Sequence, residues 1–264
     1  MQKKVLENLK YLPKFEPMAS RKIYYINRTT TWDTITKLIK LAKETNRFVM
    51  EIKYGYKDPY PALIQILFPY KLQFFVVFVE TKHLPWLDLC LHAKIESLFS
   101  VILSPSNAIQ SWNDIKMDLK LFLDHALFKS HQIDRIHVVS IQQKSREWLQ
   151  KTLGSVELKH ALFDHWTLQT AIAFIFQEYL DTTLSKSHDW DIGLYLEFDP
   201  GYVEELIHRD TFVCNLQAGH YYRSIQSEYA VHECMATNKL AALFLNEWTV
   251  EQAGKYLKKY SNDF

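Results

Sequence analysis

Arg47-Phe-Val-Met-Glu-Ile-Lys53, Pro61-Ala-Leu-Ile-Gln-Ile-Leu-Phe68 and Leu72-Gln-Phe-Phe-Val-Val-Phe-Val79 are the three stretches that decide the fold. Each is short, rich in β-branched and aromatic side chains, and bounded by Pro, Gly or Asp, which is how a strand reads. Turn residues fill the gaps: Gly55 to Pro61, then Pro69-Tyr70. Connections this short join antiparallel neighbours, because a parallel pair needs a crossover of a dozen residues or more. The sequence therefore predicts an antiparallel three-strand meander.

Outward from the meander the pattern changes. Upstream, Lys22–Asn27 (KIYYIN) reads as a strand. Thr30-Thr31-Trp32-Asp33 offers a helix start, since a threonine hydroxyl can accept a free backbone N–H. Ile35, Leu38, Ile39, Leu41 and Ala42 follow at helical spacing, and that helix is expected to end near Asn46. Downstream of Pro85, Asp88–Phe99 reads as a helix and Ser100–Leu103 as a buried strand. Trp112–Leu127 is predicted helical, with Ile115, Leu119, Phe122, Leu123 and Leu127 apolar, and Ile136–Val139 is predicted as a strand. Gln142–Gln150, Thr167–Leu180 and Gln226–Phe244 read as helices. Strands alternating with helices predict a mixed sheet with helices on its faces. A meander followed by such an alternation is the element order of the ribonuclease-H-like α/β fold. Residues 1–21 are expected to form an N-terminal arm, 22–250 the domain, and 251–264 a C-terminal tail.

Composition narrows the function classes. With 264 residues, 48% hydrophobic and 23% charged, the chain can bury a large core. Lys plus Arg is 31 and Asp plus Glu is 30, a net charge of +1. There is no global basic footprint, so nucleic acid would have to meet a local groove or a metal. Only six glycines speak against a glycine-rich phosphate loop. Cys90, Cys214 and Cys234 are odd in number and far apart, as expected of thiols in a reducing compartment. The first 22 residues lack the apolar run of a secretory signal, and no stretch reaches the roughly 18 apolar residues of a membrane span. The expected location is nucleus or cytoplasm, with no membrane.

Three groups of residues carry a resemblance. The first is Phe48-Val-Met-Glu-Ile-Lys53 followed by Pro61-Ala-Leu-Ile-Gln-Ile66; the second is Asp114-Ile-Lys-Met-Asp118-Leu119. The third is Tyr229-Ala-Val-His-Glu233-Cys-Met-Ala236 with Lys239-Leu240, preceded by Leu168-Gln169, Glu178-Tyr-Leu-Asp181, Lys186-Ser187 and Trp190. Together these resemble the tyrosine subgroup of the DEDD 3′–5′ exonucleases, over about Thr31 to Phe244. In that family the first motif reads Asp-x-Glu, the second Asn-x-x-x-Asp-Leu and the third Tyr-x-x-x-Asp. By resemblance Glu51 stands at the first Asp, Lys53 at the Glu, Asp118 at the second-motif Asp, Glu233 at the last Asp, and Tyr229 at the tyrosine.

The resemblance implies hydrolysis of a terminal phosphodiester by two ions, Mg²⁺ or Mn²⁺, held by four carboxylates. It makes Glu51, Asp118 and Glu233 the metal ligands, and these with Tyr229 the catalytic set. The motif tyrosine would orient or help activate the attacking water. Asp-to-Glu exchange keeps the charge but lengthens the arm, and roughly 1 Å of misplacement can cost on the order of 10²-fold in rate. Lys53 goes further, reversing charge where the family binds a cation. An ammonium among three carboxylates relieves their repulsion, so weakened or lost activity and stability without metal are expected.

Read without the resemblance, Glu51 and Lys53 are a pair on one strand face, Asp118 a solvated helix residue, and Tyr229 with Glu233 a common one-turn spacing. Asp58 is a candidate substitute carboxylate. Cys214, His220, His232 and Cys234 lack the paired spacing of a zinc site. Lys116, Lys120 and Lys239 are expected to flank the pocket and contact phosphates. Two functional readings stand: a domain that processes or binds single-stranded DNA or RNA, and an inactive pseudo-exonuclease serving as a protein-interaction module.

Overall fold

The computed structural model describes residues 9–55, 61–70, 73–85, 90–153, 166–183, 190, 193–195, 216–246 and 252. Its centre is the predicted meander. Strands β2 (Arg47–Tyr54), β3 (Pro61–Tyr70) and β4 (Gln73–Glu80) pair antiparallel in sequence order. Leu72 and Asp58 lie outside the described residues. Strand β1 (Ser20–Ile26) adds parallel to β4 at one edge. Strands β5 (Ala108–Ser111) and β6 (His137–Ser140) add parallel beyond β2. The order is β1-β4-β3-β2-β5-β6. This mixed sheet, a meander extended by parallel strands, is the ribonuclease-H-like arrangement.

Helices cover both faces. One layer holds α1 (Trp32–Lys43), α2 (Cys90–Ile102), α3 (Ile115–Lys120) and α4 (Ser130–Arg135). The other holds α5 (Ile141–Leu153), α6 (Leu168–Phe176) and the long α7 (Leu216–Leu245). Side chains alternate along β2, so Phe48, Met50 and Ile52 join the first core and Val49 the second. Residues 61–68 of β3 are buried throughout, as expected where a strand is covered on both faces.

Three expectations need correction. Ser100–Leu103 is not a strand, because α2 runs through Ile102. Its buried Ile95, Leu98, Phe99 and Ile102 follow helical spacing across that boundary. Asn107 caps the end, donating to the Val101 and Ile102 carbonyls at 2.8 and 3.2 Å, and β5 begins only after this turn. Trp112–Leu127 is not one helix. It is α3, then a single 3-10 turn at Leu123–His125 closed by Ala126 at φ 52°. Thr167–Leu180 stops at Phe176, where Gln177 takes φ 55°. Periodicity alone shows none of these breaks.

The segment before β1 is docked. Phe15 is buried, its amide donates to the Tyr179 carbonyl at 2.9 Å, and the Tyr179 amide donates to the Pro13 carbonyl at 2.6 Å. Phe15→Ala is therefore expected to cost about 3–5 kcal/mol, the usual price of truncating a buried aromatic ring. Urea denaturation reads this directly, and an unchanged midpoint would mean that the docking contributes nothing to stability.

Candidate functional site

Strand alternation sends Glu51 and Lys53 of β2 to the same face, toward α7. On α7, Tyr229, Glu233 and Thr237 recur every four residues and so share one side of the helix. The two elements meet here. The Lys53 ammonium lies 2.5 Å from Glu233 Oε2, and 5.0 Å from the centre of the Tyr229 ring. Trp190 adds a second ring at 5.5 Å and lies against Tyr229. The ammonium is thus held by one carboxylate and two aromatic faces, each of which attracts a cation.

Glu51 sits deeper. Its Oε1 accepts from the Trp112 backbone N–H at 2.9 Å and from the Thr237 hydroxyl at 3.0 Å. Burial, then the nearby Glu233 charge, pushes its carboxyl up to about 8; the Trp112 amide, Lys53 and Thr237 oppose this. Gln65 lies directly across the ladder from Glu51, fully buried, and its Oε1 accepts from the Cys234 thiol at 3.2 Å. Burial and the charges of Glu51 and Glu233 push that thiol well up.

Asp118 is placed differently. Tyr54, on the opposite face of β2 from Lys53, donates to Asp118 Oδ1 at 2.6 Å. Burial raises the Asp118 carboxyl, the Tyr54 bond opposes this, and Asp114 raises it further. The groups acting on Asp118 are thus Tyr54 and Asp114 rather than Glu51 or Glu233. The structure brings Glu51, Lys53, Tyr229 and Glu233 into one cluster and ties Asp118 to Tyr54.

These side chains do not fit a two-metal centre. Glu233 is engaged by an ammonium, Glu51 by two donors, and Asp118 by a phenol. Among the described residues, no three His, Cys, Asp or Glu side chains are grouped to hold a metal ion. Of the residues considered for zinc, Cys214 lies outside the described residues, Cys234 faces Gln65, and His232 packs edge-on to Phe15.

Lys239 is a correction. It does not flank the pocket as a free phosphate contact but is buried, donating to both Glu178 oxygens at 2.6 and 2.8 Å between the rings of Phe15 and Phe176. Lys116 donates to the Asp134 carbonyl at 3.1 Å, and exposed Lys120 lies 3.8 Å from the Asp134 carboxylate. The sequence reading also missed Thr237, Gln65 and the Trp112 amide. Thr237 was findable, standing one helical turn beyond Glu233. The amide was not, because a backbone donor leaves no mark in a sequence.

No protein-family model matches the chain, and no curated protein matches it. Among solved structures, the chain is similar to the EXO domain of Aedes aegypti Nibbler, at 10% identity and a TM-score of 0.46, covering 87% of this chain and 100% of that one. It is also similar to Escherichia coli RNase D, described as an exoribonuclease involved in structured RNA processing. That likeness has 13% identity and a TM-score of 0.42, over 85% of this chain and 50% of RNase D. A third is the EXD2 exonuclease domain soaked in Mn and Mg, at 14% identity and a TM-score of 0.36, over 90% and 95% of the two chains. At these identities the likeness concerns the path of the backbone alone.

Proposed function

We propose that residues 22–250 form a 3′–5′ exonuclease-like domain that binds nucleic acid and has lost metal-dependent cutting. The observation that carries this reading is the Lys53 ammonium, 2.5 Å from Glu233, at the position where the resembling family places a metal-binding Glu. The ammonium supplies fixed positive charge beside the carboxylates. It has no open coordination position, so it cannot bind and acidify water as a divalent ion does. Tyr229 faces that ammonium and serves to hold it rather than to orient a nucleophile.

The protein-interaction reading has its own observation. Met117 and Leu121, one turn apart at α3, are 61% and 50% exposed on a protein of nearly neutral charge. One experiment separates the readings: end-labelled single-stranded DNA and RNA, incubated with Mn²⁺ and with EDTA, with bound and cleaved fractions measured together. Binding without cleavage in either condition is expected. Mn²⁺-dependent release of nucleotides from the 3′ end would overturn the loss of cutting, and no binding to either strand would leave the protein-interaction module.

A further inference from the structure

Charge is unevenly spread along the chain. The span 20–47 holds seven Lys and Arg against Asp33 and Glu44, in a protein whose total is +1. All seven are exposed. Helix α1 turns Ile35, Leu38 and Ala42 into the core, which leaves Lys37, Lys40 and Lys43 on its solvent side. Lys22 of β1 joins them, because the ammoniums of Lys22 and Lys37 both lie 5.6 Å from the centre of the Tyr24 ring. None of these four lysines forms an ion pair among the described residues. Like charges one turn apart on a helix repel, so such a row is at its most favourable beside a polyanion.

An exposed aromatic side chain stands on the same helix, in its first turn. Trp32 opens α1, is 50% exposed, and has the Lys94 ammonium of α2 at 4.6 Å from its ring. Several ammoniums and an exposed indole on one helix are what single-stranded nucleic acid uses: charges for phosphates and a ring for stacking a base. A lipid surface fits less well. A helix lying in a membrane interface needs a broad exposed apolar face, and here the apolar face of α1 is already buried in the sheet core.

We propose that the outer face of α1, with Lys22 of β1 and Trp32, binds the backbone of a single-stranded nucleic acid. This face is separate from the Lys53 cluster. Tyr24 sits on the sheet face covered by α1 and α2, whereas Lys53 points to α7 on the other. The proposal therefore holds whether or not the Lys53 cluster touches nucleic acid.

The test is fluorescence anisotropy with a labelled oligouridine of about 20 nucleotides, longer than a single-strand site usually is, alongside sedimentation with phosphatidylserine–phosphatidylcholine vesicles. Lys37→Ala/Lys40→Ala should weaken oligouridine binding at least about tenfold at low salt. It should also flatten the log–log salt dependence by about 1.4, since each phosphate contact to a single strand contributes about 0.7. Trp32→Ala should weaken binding at least about fivefold through lost stacking while leaving the salt slope unchanged. Lys37→Arg/Lys40→Arg should bind like the wild type, which separates loss of charge from damage to the fold. Oligouridine affinity and slope unchanged in the alanine double variant would overturn the proposal. So would vesicle binding that falls in that variant while oligouridine binding does not. If Glu51→Gln abolishes oligouridine binding and the α1 variants do not, this inference fails while the reading of the Lys53 cluster as a nucleic-acid site stands.

Discussion

Lys53→Glu is expected to lower stability in EDTA by at least about 3 kcal/mol, and Mn²⁺ is expected to restore part of the loss. Lys53 is almost fully buried and pairs with a Glu233 side chain that is only 17% exposed. Removing one partner from a buried pair typically costs about 3–5 kcal/mol, because the other charge is left uncompensated. The new carboxylate adds repulsion toward Glu51 and Glu233, both already close enough to influence each other. A divalent ion binding only the folded state would recover about 2.7 kcal/mol at a concentration of 100 times its Kd. Lys53→Met is the control: it loses the pair but presents no third carboxylate, so it should be destabilised and indifferent to Mn²⁺. Urea denaturation of wild type and both variants, with EDTA and with Mn²⁺, gives the answer. Equal stability of wild type and Lys53→Glu in EDTA would show that the pair contributes nothing. A destabilised Lys53→Glu that ignores Mn²⁺ would show that its carboxylates do not converge.

The same alternation that makes Lys53 readable also explains which parts of the protein the sequence hides. The meander was legible because strand runs and tight turns are local signals, and local signals fix antiparallel neighbours. Glu51, Lys53, Tyr229 and Glu233 were legible as a cluster only through their joint resemblance to family motifs. Neither a two-residue strand spacing nor a one-turn helix spacing says that β2 and α7 will meet. Asp118 shows the limit of that route. The motif keeps its carboxylate, with Asp114 where the family has Asn, yet a tyrosine from the other face of β2 holds Asp118, and nothing in the motif reports on Tyr54. Lys239 fails for a related reason. A lysine in a helical motif reads as solvated, and its burial depends on Glu178 and Phe15, far away in sequence. The lost strand at Ser100–Leu103 is an ambiguity of short apolar runs, which length and flanking residues must decide.

Glu51→Gln should make the protein markedly less sensitive to alkaline pH. In an unfolded chain this carboxyl ionises near 4.5, whereas in the folded protein burial and Glu233 hold its proton up to about 8. Between those values the folded state carries more protons than the unfolded one, so stability falls as pH rises. The contribution of the neutral acid is fully present below about pH 4.5 and is lost as pH passes through about 8. At 1.36 kcal/mol per pKa unit, the loss attributable to Glu51 is on the order of 5 kcal/mol. A glutamine carbonyl can accept the same bonds from the Trp112 amide and the Thr237 hydroxyl, and it never ionises. The variant should therefore match the wild type near pH 5 and exceed it near pH 8.5. Burial also raises Glu80 and Glu178, so a decline with pH should persist in both proteins, and the difference between them isolates Glu51. Parallel stability–pH curves would mean that Glu51 is already ionised in the fold and that the two glutamates share the single Lys53 charge. In that case the charge of the cluster would be −1 rather than zero at neutral pH, with Glu51 a carboxylate beside the ammonium instead of a hydrogen-bonding acid.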